Sequence, residues 1–276
     1  MFLRMRSILL LCLAAVALVS CSEYQKVLKE TDLKPKYDMA EKLYNEGDYK
    51  RAVRLFEQIA PKYVGRPQGE RVMFFFADSY FKTKDYYLAG YQFERFMKSY
   101  PRSDKIQEAG FLGAKSYYML SPRYSLDQSD TDKALSKLQV FINTYPESEY
   151  FEEANAMAAE LTAKKEKKEL EIAKQLNKLG EFNLPILVSA ITALDNFITD
   201  NPGSIYREDA LYYRIEAATH LAMNSTEDKK QERLQDALSS YNNLMRYFPE
   251  SKFKKDADKL SEKIREEMNV DDSISK

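Results

Sequence analysis

The sequence predicts an all-α fold, a solenoid of about five stacked helix pairs, and three observations carry that prediction. A spaced set of residues recurs four times without a gap. Each copy passes through a Pro-x-Ser turn. Between the third and fourth repeats, residues 149–179 hold neither proline nor glycine.

The recurring set is Ala89, Phe93, Phe96, Pro101, Ser103, Glu108 and Ala109. Ala134, Leu138, Phe141, Pro146, Ser148, Glu153 and Ala154 repeat it with every offset kept. Ala190, Leu194, Phe197, Pro202, Ser204, Asp209 and Ala210 follow, then Ala237, Tyr241, Leu244, Pro249, Ser251, Asp256 and Ala257. Ala52, Phe56 and Ile59 begin a partial copy, in which Val64 stands at the proline position. Steps of four and three place the alanine and both large residues on one helix face. Alanine admits a close neighbouring helix. Proline lacks an N–H and disfavours helix in the residue before it, so it stops the helix. The serine is placed to cap the next helix. Such a unit cannot bury its apolar face alone, whereas stacked units can.

Gly47, Tyr49, Ala52 and Phe56 resemble the tetratricopeptide signature, which implies a right-handed α-solenoid. The first pair is expected over Tyr37–Glu46 and Lys50–Ala60. Residues 121–131 read as an insertion between the helices of the third pair. Residues 149–180 read as one long helix of about 48 Å. Gly180 and Phe182 end it, and Pro185 sits in the first turn of the next helix. The expected organisation is a leader at 1–20 and a lipidated tether at 21–35. Three repeats follow at 36–148, then the long helix, repeats four and five and a capping helix at 149–270. A disordered tail is expected at 271–276.

The leader joins Arg4 and Arg6 to an apolar run from Ile8 to Val19, too short for a membrane span of about 20 residues. It ends in Leu18-Val19-Ser20-Cys21, which resembles the lipobox of bacterial lipoproteins. That resemblance implies cleavage between Ser20 and Cys21, with diacylglycerol on the Cys21 thiol and an acyl chain on its freed amine. The alternative is an ordinary signal peptide or anchor with an incidental cysteine. Cys12 would leave with the leader, so no intrachain disulfide remains. Ser22 is not the aspartate of inner-membrane retention, which favours the outer membrane, facing the periplasm.

Composition limits the function classes. Net charge is −1, so nothing points to nucleic acid. His220 is the only histidine, too few for a metal cluster or a standard triad. Gly65-Arg66-Pro67-Gln68-Gly69 lacks the lysine and hydroxyl of a phosphate loop and reads as a turn. Lys164, Lys165, Lys167 and Lys168 alternate with glutamates and read as a solvated face. No active site, cofactor or metal is expected.

One constellation asks for a function. With 15 phenylalanines and 20 tyrosines but no tryptophan, rings recur on the first helix of successive pairs. Tyr37, Phe74 and Phe111 stand 37 residues apart, as do Tyr44, Phe81 and Tyr118. With Arg71, placed to meet a terminal carboxylate, they are candidates for a groove that grips an extended peptide. The alternative is packing between repeats.

The whole chain after Cys21 resembles the BamD family of outer-membrane β-barrel assembly lipoproteins. The features are the lipobox, about five tetratricopeptide units, the Pro-x-Ser turns and the long helix. The resemblance implies a non-enzymatic scaffold. Its partners would be the periplasmic domains of BamA, held by the C-terminal repeats, and the C-terminal strand of unfolded barrel proteins, received by the N-terminal repeats. It also implies attachment to the outer membrane through the lipid. Two other readings stay open, a cell-envelope or division coordinator with the same repeats and a nutrient-binding lipoprotein. The missing tryptophan and the short tether argue against them.

Overall fold

The computed structural model describes residues 23–274, with side chains as far as residue 269. The leader, the Ser20–Cys21 junction and the anchor lie outside these residues. Helix α1 (residues 23–29) precedes α2 (Leu33–Asn45) and α3 (Tyr49–Tyr63) of the first pair. The second pair is α4 (Gly69–Lys82) and α5 (Tyr86–Ser99), and the third α6 (Ile106–Leu120) and α7 (Ser129–Thr144). Then come α8 (Phe151–Gly180), α9 (Leu184–Asp200), α10 (Arg207–Met223), α11 (Glu227–Tyr247) and α12 (Lys254–Ile274). No strand occurs among the described residues. The fold is all-α, of tetratricopeptide helix pairs.

Two compact units divide the chain. Unit 1 holds the described residues to Pro122 together with Gln128–Ala158, and unit 2 holds Arg123–Asp127 and the chain from Ala159. In unit 1 the first helices of successive pairs touch directly, α2 on α4 and α4 on α6.

The repeated alanines are fully buried between helices. Ala52, Ala89, Ala134, Ala190 and Ala237 are all 0% exposed, as are Ala109, Ala154, Ala210 and Ala257. In the four full copies the second helix ends two residues before its proline, with one capping residue between. Tyr100, Tyr145, Asn201 and Phe248 all leave helical ψ and donate their N–H to the residue four back. The prolines stop the helices as their chemistry requires.

The serines act one step earlier than a helix cap. Ser103, Ser148, Ser204 and Ser251 each accept from the N–H two residues on, at 3.0–3.3 Å, in the turn that leads into the helix. Three of them also donate to a glutamate on the preceding first helix. Ser103 reaches Glu70 at 2.6 Å, Ser204 reaches Glu166 at 2.8 Å and Ser251 reaches Glu208 at 2.6 Å.

Other expectations need correction. The start of the supposed tether is helical and docked, because Tyr24, Val27 and Leu28 form an i, i+3, i+4 apolar stripe. Tyr24 is buried, and Val27 and Leu28 pack on the same core as the first pair. Lys36 caps α1 by donating to the Leu28 carbonyl at 3.3 Å. Two of the four lysines read as solvated hold the insertion. Lys168 donates to the Leu126 carbonyl at 2.8 Å, and the Lys167 ammonium lies 4.6 Å from the Tyr124 ring centroid. Helix α12 continues to Ile274, past the start of the expected tail at 271.

The turn inside each of the first two pairs uses left-handed backbone. Gly47 has φ of +80°, and 37 residues on Lys84 has φ of 64°. The two turns are closed identically, by Asp48 N–H to Leu43 carbonyl and Asp85 N–H to Tyr80 carbonyl. Lysine therefore occupies a glycine position.

Candidate functional site

The candidate surface is the face of α2, α4 and α6 in unit 1, and its centre is a pair of rings. Tyr44 on α2 stacks on Phe75 of α4, with centroids 3.9 Å apart and planes 10° apart. The Arg71 guanidinium lies 5.2 Å from the Phe75 centroid and pairs with Glu41 of α2. The same glutamate hydrogen-bonds Tyr37 and, after burial, is the next cause of that hydroxyl's raised pKa. Tyr37 stacks on Tyr63 of α3 at 5.6 Å. The Tyr44 hydroxyl donates to Asp78 Oδ2 at 2.7 Å. Burial is the main reason the Asp78 carboxyl titrates above its ordinary value, although the Tyr44 bond works the other way. Burial, then the same bond, holds the Tyr44 hydroxyl well above the usual tyrosine value.

This arrangement offers the uncovered parts of two half-buried rings, a guanidinium exposed on one side and paired with Glu41 on the other, and hydrogen-bonding hydroxyls. It suits binding. The Arg71 side chain is 55% exposed, so a ligand carboxylate can reach it beside Glu41.

The seven expected groove residues separate here. Tyr37, Tyr44, Phe81 and Tyr118 are half-buried and Arg71 is exposed. Phe81 meets Tyr86 edge-on at 5.6 Å. Phe74 and Phe111 belong to the packing, which corrects their reading as groove anchors. Phe74 meets Phe93 and Phe96 edge-on at 6.0 and 5.5 Å and is 6% exposed. Phe111 stacks on Tyr150 at 4.6 Å, tilts against Phe141 and is 2% exposed. Both are also covered by the residue two beyond a turn serine, Lys105 over Phe74 and Tyr150 over Phe111. Phe75 is the residue that sequence reasoning passed over. Neighbouring helix positions differ by 100°, so one ring of Phe74-Phe75-Phe76 had to point away from the core. Phe76 packs on Phe56 and Tyr80, which leaves Phe75 half-buried at the margin of the core.

Unit 2 repeats part of this construction. Tyr212 stacks on Phe253 at 4.3 Å, with Tyr213 edge-on to both. Arg214 is held between Asp195 of α9 and Asp236 of α11. Apolar side chains stand out of the same unit: Phe182 is 87% exposed, Ile205 73% and Leu179 56%. Among the described residues no helix is long and apolar enough to cross a membrane.

Comparison with known proteins places this architecture. The family model described as outer membrane lipoprotein, YfiO, matches residues 29–183 and 185–273. The chain belongs to this BamD family of outer membrane lipoproteins. The outer membrane protein assembly factor BamD of Pasteurella multocida is 23% identical over 181 residues, 62% of this chain and 69% of that one. The factor of the same name from Caulobacter vibrioides is 22% identical over 216 residues, 77% of this chain and 69% of its own. Among solved structures, the TPR2AB-domain:pHSP90 complex of yeast Sti1 aligns over 84% of this chain and 98% of that one. Its identity is 13% and its TM-score 0.38, a likeness too distant to locate a site.

Proposed function

We propose that this BamD-family chain is a non-enzymatic scaffold for outer membrane protein assembly, lipid-anchored at Cys21 and facing the periplasm. Unit 1 receives the extended C-terminal strand of an unfolded barrel protein. Unit 2 holds the periplasmic domains of BamA. The observation that carries the first part is the half-open stack of Tyr44 and Phe75 beside Arg71. A final barrel strand alternates apolar or aromatic side chains with polar ones and ends in a carboxylate. Stacked, half-buried rings with a guanidinium over one of them fit that chemistry. The second part is supported by Leu179, Phe182 and Ile205, large apolar groups left in water on one unit, as at protein contact sites.

Affinity purification of the lipidated protein tests the reading. BamA should co-purify with the wild type. Phe182→Glu with Ile205→Glu should lose BamA while keeping the peptide. If BamA never co-purifies with the folded wild type, the scaffold assignment falls.

A further inference from the structure

The start of the folded chain is tied to its attachment point by almost nothing. Only Ser22 and Glu23 separate Cys21 from Tyr24, and Tyr24 is 3% exposed in the core of unit 1. Its hydroxyl faces the Arg51 carbonyl at 3.4 Å, and the Arg51 guanidinium lies 5.5 Å from its ring centroid. Arg54 bonds the same hydroxyl. Three residues reach at most about 10 Å when fully extended. A lipid on Cys21 would therefore hold the N-terminal end of α1, and the part of α3 beneath it, at the bilayer surface.

That end carries exposed cationic side chains. On α1 the buried stripe leaves Lys26 and Lys29 facing outward, three residues apart on one side of the helix. On α3 Arg54 is exposed. None of these three forms an ion pair among the described residues, while Arg51 is neutralised by Asp48 at 2.6 Å. The carboxylates nearby are Glu23, Glu30, Asp48 and Glu57. Asp48 is neutralised by Arg51, while Glu30 accepts the Thr31 N–H at 3.0 Å and Glu57 the Tyr80 hydroxyl at 2.6 Å, both keeping their charge. Charges act over a screening length of about 8 Å in physiological salt, comparable to the reach from the anchor.

We infer that α1 and the start of α3 form a membrane-contacting surface on which Lys26, Lys29 and Arg54 lie against anionic phospholipid headgroups. Repeat one is thereby held in a fixed pose on the bilayer rather than swinging from a tether. The inference rests on the proposed lipidation of Cys21.

The test uses the full lipidated protein in vesicles of phosphatidylethanolamine and phosphatidylglycerol. With Cys12 removed and Cys21 blocked by lipid, an added cysteine is the only free thiol. A spin label goes on Lys50→Cys, beside the surface, or on Val140→Cys in the third repeat. Relaxation by headgroup-chelated nickel reads distance from the bilayer. The label at 50 should relax several-fold more strongly than the label at 140. A Gly-Ser linker inserted between Ser22 and Glu23 should abolish the difference, and Lys26→Glu with Arg54→Glu should reduce it. Mass spectrometry of the same sample reads acylation of Cys21. Equal relaxation at 50 and 140 on acylated protein, or no response to the linker, overturns the inference and leaves the anchor standing. Unacylated Cys21 overturns both.

Discussion

The Ser251 hydroxyl donates to Glu208 Oε1 at 2.6 Å and accepts the Phe253 N–H at 3.1 Å, so one oxygen closes a turn and clamps it to a helix 43 residues upstream. The Lys252 N–H adds a second bond to the same carboxylate at 2.8 Å. Ser103 with Glu70 and Ser204 with Glu166 repeat the clamp. Each of these three turns is thus fixed to the helix pair before it.

Removing a clamp should be measurable. Ser103→Ala leaves Glu70 without its donor and should lower stability by about 1–2 kcal/mol in urea unfolding. Ser148 closes its turn through the Tyr150 N–H alone, so Ser148→Ala should cost less. Equal losses at both sites would mean the glutamate contributes nothing.

Lys84 sits in left-handed backbone where Gly47 serves the first repeat. Lys84→Gly should therefore stabilise the chain by about 0.5–1 kcal/mol, the relief of a side chain's αL cost less the entropy of glycine. Thermal unfolding would show it. A destabilised variant would mean that the Lys84 side chain makes a contact worth more than the strain.

Much of this architecture is legible in the amino-acid order, and the boundary of legibility is physical. The alanines were readable because smallness at a fixed spacing has one structural use, close helix approach. The prolines were readable because their chemistry is local. Phe74 and Phe75 were not separable, since apolarity alone does not say which of two adjacent rings faces the core. Tyr24, Val27 and Leu28 make too short a stripe to stand out from a tether. Glu70, Glu166 and Glu208 lie 33 to 43 residues from their serines, beyond any periodic signal. Lys167 and Lys168 looked solvated because the loop they hold arrives from a distant segment.

The two neighbouring rings should behave oppositely on mutation. Phe74→Ala empties a core position and should cost about 3–5 kcal/mol. Phe75→Ala removes a half-buried ring and should cost about 1 kcal/mol. Comparable urea midpoints for the two variants would contradict the assignment of Phe74 to the core.

Asp78 gives a pH signature. Burial raises its folded pKa above the ordinary 3.8, so the folded state holds a proton that the unfolded chain would release. The cost of the buried charge is present at neutral pH and is relieved as pH falls through the raised value towards 3.8. Asp78→Asn keeps an acceptor for Tyr44 and removes the charge. At pH 7 it should be at least as stable as the wild type, and the gap should narrow down to pH 4. A gap that widens on acidification would contradict the sign.

Peptide binding tests the account most directly. A fluorescent peptide carrying the last strand of an outer-membrane barrel, free carboxylate included, is titrated with the wild type and with Phe75→Ala. Urea unfolding on the same samples confirms that both are folded. If Phe75 is an anchor of the client surface, the variant should bind more weakly by about 2 kcal/mol. Unchanged affinity in the folded variant would contradict the central claim and place the client surface elsewhere.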